Sequence, residues 1–242
     1  MAERTIEAGR NVARLAEQQM RNWALELEAR QRTQSKPPTE EAPRRFPPFI
    51  AISREAGAGG AEIAQKAGEI LGWPVFDRQL LDHMAEQYQL PRDMLEYVDE
   101  KKTNWLFECF GKWLSGRVVT QSEYISHLGQ VVLMAARHTN TIFVGRGARF
   151  LLPGDRGVSV HVVAPKKMRI ERTMQLQGWP EAQAEQYVNQ ADAGRRKFVK
   201  EYFNHDVGDP HLYDLVINRR HIGITAAAGL IVEQYRARFE NY

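Results

Sequence analysis

Between Phe49 and Ala64 the chain reads Phe-Ile-Ala-Ile-Ser-Arg-Glu-Ala-Gly-Ala-Gly-Gly-Ala-Glu-Ile-Ala. An apolar, β-prone run meets a glycine-rich turn at Gly57, Gly59 and Gly60, and a helical pattern starts at Ala61. That order suits phosphate binding. Glycines let backbone N–H groups approach an anion closely, and a helix N-terminus adds a favourable dipole. The candidate phosphate contacts are Ser53, Glu55, Gly57, Ala58, Gly59, Gly60, Ala61 and Glu62. The usual phosphate loop reads G-x-x-x-x-G-K-[ST]. Here Arg54 stands at the first Gly, Gly60 at the Lys and Ala61 at the Ser/Thr. The cradle is expected without its usual cation and magnesium-binding hydroxyl. Arg54, at the other end of the loop, is the candidate replacement cation. A dinucleotide fingerprint is excluded, because G-x-G-x-x-G from Gly57 would need glycine where Glu62 stands.

Other chemistry-bearing residues fall at the ends of expected strands, where open parallel sheets bind ligands. These are Asp77-Arg78, Gly145-Arg146 and Asn218-Arg219-Arg220. Arginine suits phosphate because its planar fork makes two parallel charge-assisted bonds. Arg169 and Arg172 lie three apart on one expected helix, and Asp192, Arg195 and Arg196 lie on the next. Packed together, these helices would converge cations above the loop, as phosphoryl transfer requires. Each residue also has a plainer reading. Helical arginines are often solvated, Asp77 would cap the following helix, and Asp209-Pro210 reads as a turn. Tyr213 and Asp214 suit structural roles at a strand start. His127, His138 and His161 lack metal-ligand spacing, so no metal site is assigned to side chains.

The elements that must position these groups follow from pattern. The chain has 242 residues, 43% apolar and 26% charged, which allows one substantial domain with an appendage. A net charge of +3 fits an anionic ligand and is too weak to argue for nucleic acid. The single Cys109 excludes an intrachain disulfide and suits a reducing cytoplasm. No apolar run is long enough to span a bilayer, and the charged N-terminus does not resemble a secretory signal. Residues 1–33 read as a helical arm, with Ile6, Ala13, Met20 and Leu27 at seven-residue spacing and Ala16 and Trp23 between them. The arm either lies on its own domain, pairs with another copy or a protein partner, or lies on a membrane surface. Residues 34–48 form a proline-rich linker. From residue 49 to 242, short apolar strands near 49–53, 73–76, 141–144, 158–163 and 214–218 alternate with helices. The helices fall near 61–72, 78–89, 91–101, 122–138, 166–177, 181–203 and 224–240. This predicts an α/β fold with a parallel sheet flanked by helices in three layers. The aromatic segment Trp105 to Trp113 either packs a core or covers a pocket.

Together these segments resemble the cytidylate kinase-like family, a branch of the P-loop nucleoside monophosphate kinases. The resemblance rests on Ser53 to Gly60 with Ile63-Ala64, Leu71 to Arg78, Val144 to Ala148, Val162 to Arg172, Asp192 to Phe203, and Asp209 to Asn218. It implies a P-loop kinase fold that uses ATP and Mg2+ and phosphorylates a nucleoside monophosphate, CMP or dCMP. It also implies donor phosphates on Gly57, Gly59 and Gly60, and an acceptor site near Asp77 and Arg146, to which the neighbouring strand-end residues Arg78 and Gly145 are added. An arginine-bearing lid is implied at Arg195 and Arg196, with Arg169 or Arg172 at its base. Established cytidylate kinases carry Gly-Arg-Asp in the acceptor motif, whereas Gly147 replaces that Asp here. Glu55 and Asp77 are candidates to hold magnesium through water. Two functional readings therefore stand: a phosphotransferase working without the loop lysine, and a degenerate kinase fold acting in nucleotide sensing or protein interaction.

Overall fold

Short apolar runs, buried on both faces of the sheet and ended by turns, produce the strands, and each strand leads on to a helix. The computed structural model describes residues 2–33, 46–87 and 119–240. The expected helix at 91–101 and the Trp105–Trp113 segment lie outside the described residues. The chain separates into two compact units, Met1–Pro47 with Arg78–Thr139, and Pro48–Asp77 with Asn140–Tyr242.

The first unit is helical among its described residues. Helix α1 (Ala2–Thr33) packs on α3 (Arg78–Gln87), and α3 packs on α4 (Val119–His138). Two residues of the arm's stripe, Ala16 and Trp23, are buried, and the Trp23 ring meets His138 edge-on at 6.4 Å. Leu80, Leu81, Met84 and Ala85 form the buried face of α3. Tyr124 on α4 donates to the Asp82 carboxylate at 2.7 Å. No described helix is long and apolar enough to cross a membrane.

The second unit is built on a five-stranded parallel sheet in the order β2-β3-β1-β4-β5. The strands are β1 (Phe49–Arg54), β2 (Val75–Phe76), β3 (Thr141–Val144), β4 (Gly157–Val163) and β5 (Leu215–Asn218). β5 starts one residue later than the sequence pattern suggests, because Asp214 turns its backbone and carboxylate onto Ser159. Ile50, Ile52, Ile142, Val144, Val158, Val160 and Val162 project from one sheet face. They meet Ile63, Ala64 and Ala67 of α2 (Gly60–Leu71) and Ala228, Ile231 and Val232 of α8 (Ile224–Phe239). On the other face the Phe49, Phe143 and Phe76 rings lie 5.9–6.5 Å apart in sequence. The short helix α5 (Ala148–Leu151) packs beside β1. Helices α6 (Lys166–Gln177) and α7 (Glu181–Phe203) pack on each other, and Ile170, Ala184 and Val188 close a small core over Ala56. The α/β class with a parallel sheet flanked by helices is thus the one expected. β1 lies between β3 and β4, where successive crossovers depart in opposite directions. The loop after it therefore opens onto the crevice that ligands use in such sheets.

Candidate active site

The loop leaves β1 at Arg54 and enters α2 at Gly60. Gly57 has φ 76, and a Cβ there would lie 2.5 Å from the Arg169 carbonyl oxygen. Gly59 has φ 83 and caps α2, and the Arg219 guanidinium occupies the space a Cβ would need. Both positions therefore require glycine. No side chain caps the α2 N-terminus, so the first-turn N–H groups, which include those of Ala61 and Glu62, have no intrahelical partner. That N-terminus fits an anion such as a nucleotide phosphate.

Four cations fix the loop from around it. Arg169, buried, donates from Nη1 to the Ala56 carbonyl at 3.1 Å and to Asp192 at 2.6 Å. Its Nε donates to the Ala164 carbonyl at 2.9 Å and stands 3.3 Å from the Glu55 carboxylate. Glu55 in turn accepts from the Ala164 N–H at 3.0 Å. Arg195 donates to the Arg54 carbonyl at 3.1 Å. Arg219 donates to the Ala58 carbonyl at 3.1 Å, and Arg172 pairs with Glu62 at 2.7 Å. Burial lowers the Arg219 pKa, and neighbouring Arg172 acts in the same direction. Asp192, on α7, accepts the Ala56 N–H at 2.7 Å besides its bonds from Arg169 and Arg195. One helix carboxylate thus receives three donors, one of them a loop amide.

Arg54 takes a different path. Its Cβ and Cγ lie 2.6 and 2.8 Å from the place a Cβ would take on Gly60, and its guanidinium lies against Gly145 in the same sense. Two glycines make room for one arginine. The side chain therefore runs from the loop position that usually carries lysine to the end of β3. There Gly145, Arg146 and Gly147 have φ of 82, 51 and 67. Three successive left-handed residues form a tight turn, and a positive φ is uncommon for arginine. The Arg146 guanidinium stacks over Phe198 of α7 at 5.1 Å. The Phe203 ring fills the space a side chain at position 147 would need. That explains why the Asp of established cytidylate kinases is Gly147 here.

The remaining predicted residues are placed as follows. Ser53 hydrogen-bonds with both His161 and Tyr213, whose rings stack at 4.8 Å. Burial lowers the His161 pKa, and Glu55 and Asp192 act against it. Asp77 follows Phe76, the register partner of Phe143, so it shares the carboxyl edge of the sheet with Gly145. Arg78 opens α3 and lies 3.4 Å from Asp82 on its own helix. Arg196 is exposed on α7 and contributes none of the loop contacts described. The sequence pointed to Arg169 as a candidate lid base, to Asp192 only as a neighbour of the lid arginines and to Arg219 only as a strand-end arginine, yet these three hold the loop most closely. Among the described residues no group of three or more His, Cys, Asp or Glu is placed to hold a metal. Ala61 offers no hydroxyl to magnesium, and Glu55 and Glu62 are already paired with arginines. The residues fit phosphate oxygens better than a directly bound cation.

A glycine loop at the switch point of a parallel sheet, clasped by arginines from two following helices, defines a candidate phosphate site on a P-loop kinase fold. Residues 49–221 match the cytidylate kinase-like family, and the chain belongs to that family. The structure is similar to that of an uncharacterized protein from Eubacterium ventriosum, with 24% identity and a TM-score of 0.62, covering 78% of this chain and 98% of that one. Weaker likenesses include shikimate kinases from Acinetobacter baumannii (19% identity, TM-score 0.41, 81% and 94% coverage) and Bacteroides thetaiotaomicron (15%, 0.40, 80% and 98%). No curated protein matches the sequence.

Proposed function

We propose that the chain transfers the γ-phosphoryl group of Mg·ATP to a nucleoside monophosphate, CMP or dCMP by family, with Arg54 replacing the loop lysine. The chemistry is assigned to residues 49–242, with 1–33 as an arm and 34–48 as a linker. The observation that carries the proposal is the course of Arg54 over Gly60 to Gly145. It puts a cation between the donor loop and the acceptor motif, where charge on a transferring phosphoryl group must be stabilised. The loop amides and α2 hold the donor phosphates, and Arg146 meets the acceptor phosphate. Arg172 and Arg195, already at the loop, neutralise charge as transfer proceeds. Magnesium, when it arrives bound to ATP, would supply charge neutralisation on the donor phosphates.

The second reading is a nucleotide-sensing or protein-binding module. Exposed Ala61 at the hydroxyl position favours it. ADP formation from Mg·ATP across a panel of nucleoside monophosphates decides between them. Acceptor-dependent ADP, reduced about 10²–10³-fold in Arg54→Ala, is expected for the enzyme. Folded protein that turns over no acceptor would leave the sensing module.

A further inference from the structure

Near the amino ends of β1 and β4 the sheet carries a second cleft, of about 130 Å³. Phe49 and Gly157, register partners at the start of those strands, lie at its base, with Arg149, Ser159, Tyr213 and Asp214 around them. The phosphate loop begins five residues further along β1, at Arg54. At the usual rise per residue that puts the loop about 16 Å from the Phe49 end of the cleft, while Tyr213, in the lining, reaches Ser53 beside the loop.

Its charges do not balance internally. One Asp214 oxygen accepts from the Ser159 N–H and hydroxyl, both at 2.7 Å, and the other accepts from Arg238 at 3.2 Å. His211, also in the lining, is held by Asp209 at 2.9 Å. The acidic groups at the cleft are thus committed to Arg238, Ser159 and His211. Arg149 has a buried Nε with no hydrogen-bond partner. Its guanidinium lies over the Phe150 and Tyr213 rings at 5.2 and 5.7 Å, and burial lowers its pKa against the attraction of Tyr213 and Asp214. Arginine stays charged in proteins, and a partly buried charged donor without an acceptor is costly. The Nε itself is enclosed, so an oxyanion in the cleft would offset the charge from the terminal nitrogens of the guanidinium.

We infer that Arg149 is the cation of a second anion site, which takes a small oxyanion group, carboxylate or phosphate, distinct from the nucleotide phosphates at the loop. The cleft is too small for a nucleotide and suits a group of a few heavy atoms.

The test is two-dimensional NMR of the arginine Nε–H groups in the full chain, titrated with inorganic phosphate and, separately, with acetate. Arg149→Lys assigns the signal by removing it. A saturable shift of the Arg149 signal is expected in the wild type and equally in Arg54→Ala. A response to phosphate alone, or to acetate alone, supports the site and names the oxyanion. No saturable shift with either anion means that no oxyanion binds at Arg149, and overturns the inference. So does a shift that disappears in Arg54→Ala, since the anion would then be acting at the loop. As an independent check, calorimetry with the anion that shifts the signal should find one fewer site in folded Arg149→Gln. An unchanged number of sites overturns the inference as well.

Discussion

At the scale of single residues, the loop works by exchange of places. Arginine stands where the common pattern has glycine, and glycine where it has lysine, and each substitution makes sense only with the other. Gly60→Lys alone should disrupt the loop, because Arg54 already fills that space. In the double variant Arg54→Gly/Gly60→Lys the space opens and a cation returns to the helix start. Denaturation midpoints should then show a coupling energy of about 0.5–3 kcal/mol between the two positions, and additive effects would reject the exchange. A second residue-scale prediction concerns His161. Its pKa is lowered in the folded state from 6.5, so the unfolded chain takes up the proton first. At higher pH both states are neutral and His161 contributes no pH dependence. As pH falls through the unfolded value, stability is lost. His161→Phe keeps the stack on Tyr213 and should flatten the fall in melting temperature between about pH 7 and about pH 5. An equally steep fall in the variant would show that other groups carry it.

At the scale of elements, α7 is held to the loop by a buried ion pair rather than by apolar burial alone. Asp192→Ala leaves Arg169 with Glu55 as its remaining carboxylate and frees the Ala56 amide, which should cost about 3 kcal/mol. Hydrogen exchange should quicken in α7 and in residues 55–60 together, and protection unchanged at either end would contradict the clasp. Asp192→Asn, which keeps an acceptor, should lose less. These bonds also mark the limit of what the sequence could disclose. The elements were legible because their periods are clean: β3, α6 and α7 occupy the spans their patterns predict, and the glycine loop announced itself. The Asp192 bond to Ala56 joins residues 136 apart, and no local pattern encodes such a pairing. Arg196, next to Arg195, looked equally suitable in sequence. One residue of helical rotation leaves it exposed while its neighbour reaches the Arg54 carbonyl. The turn at Gly147 was readable only as a departure from the family, and its reason, the Phe203 ring, lies 56 residues downstream.

At the scale of the whole molecule, the arm helix belongs to a packed unit. Trp23→Ala removes a buried ring from α1 and should cost about 3–5 kcal/mol, read as faster exchange in α1, α3 and α4. Unchanged exchange there would place the arm outside that unit's core. In the other unit, α7 is a continuous rod of 23 residues, about 35 Å long. It carries Asp192 and Arg195 onto the donor loop, and Phe198 and Phe203 onto the Gly-Arg-Gly turn. A stiff body fastened at both places cannot respond to one without informing the other. For the proposed reaction, thermodynamic linkage would make the exchange reciprocal: whatever factor a donor nucleotide applied to the affinity for its acceptor, the acceptor would return to the donor.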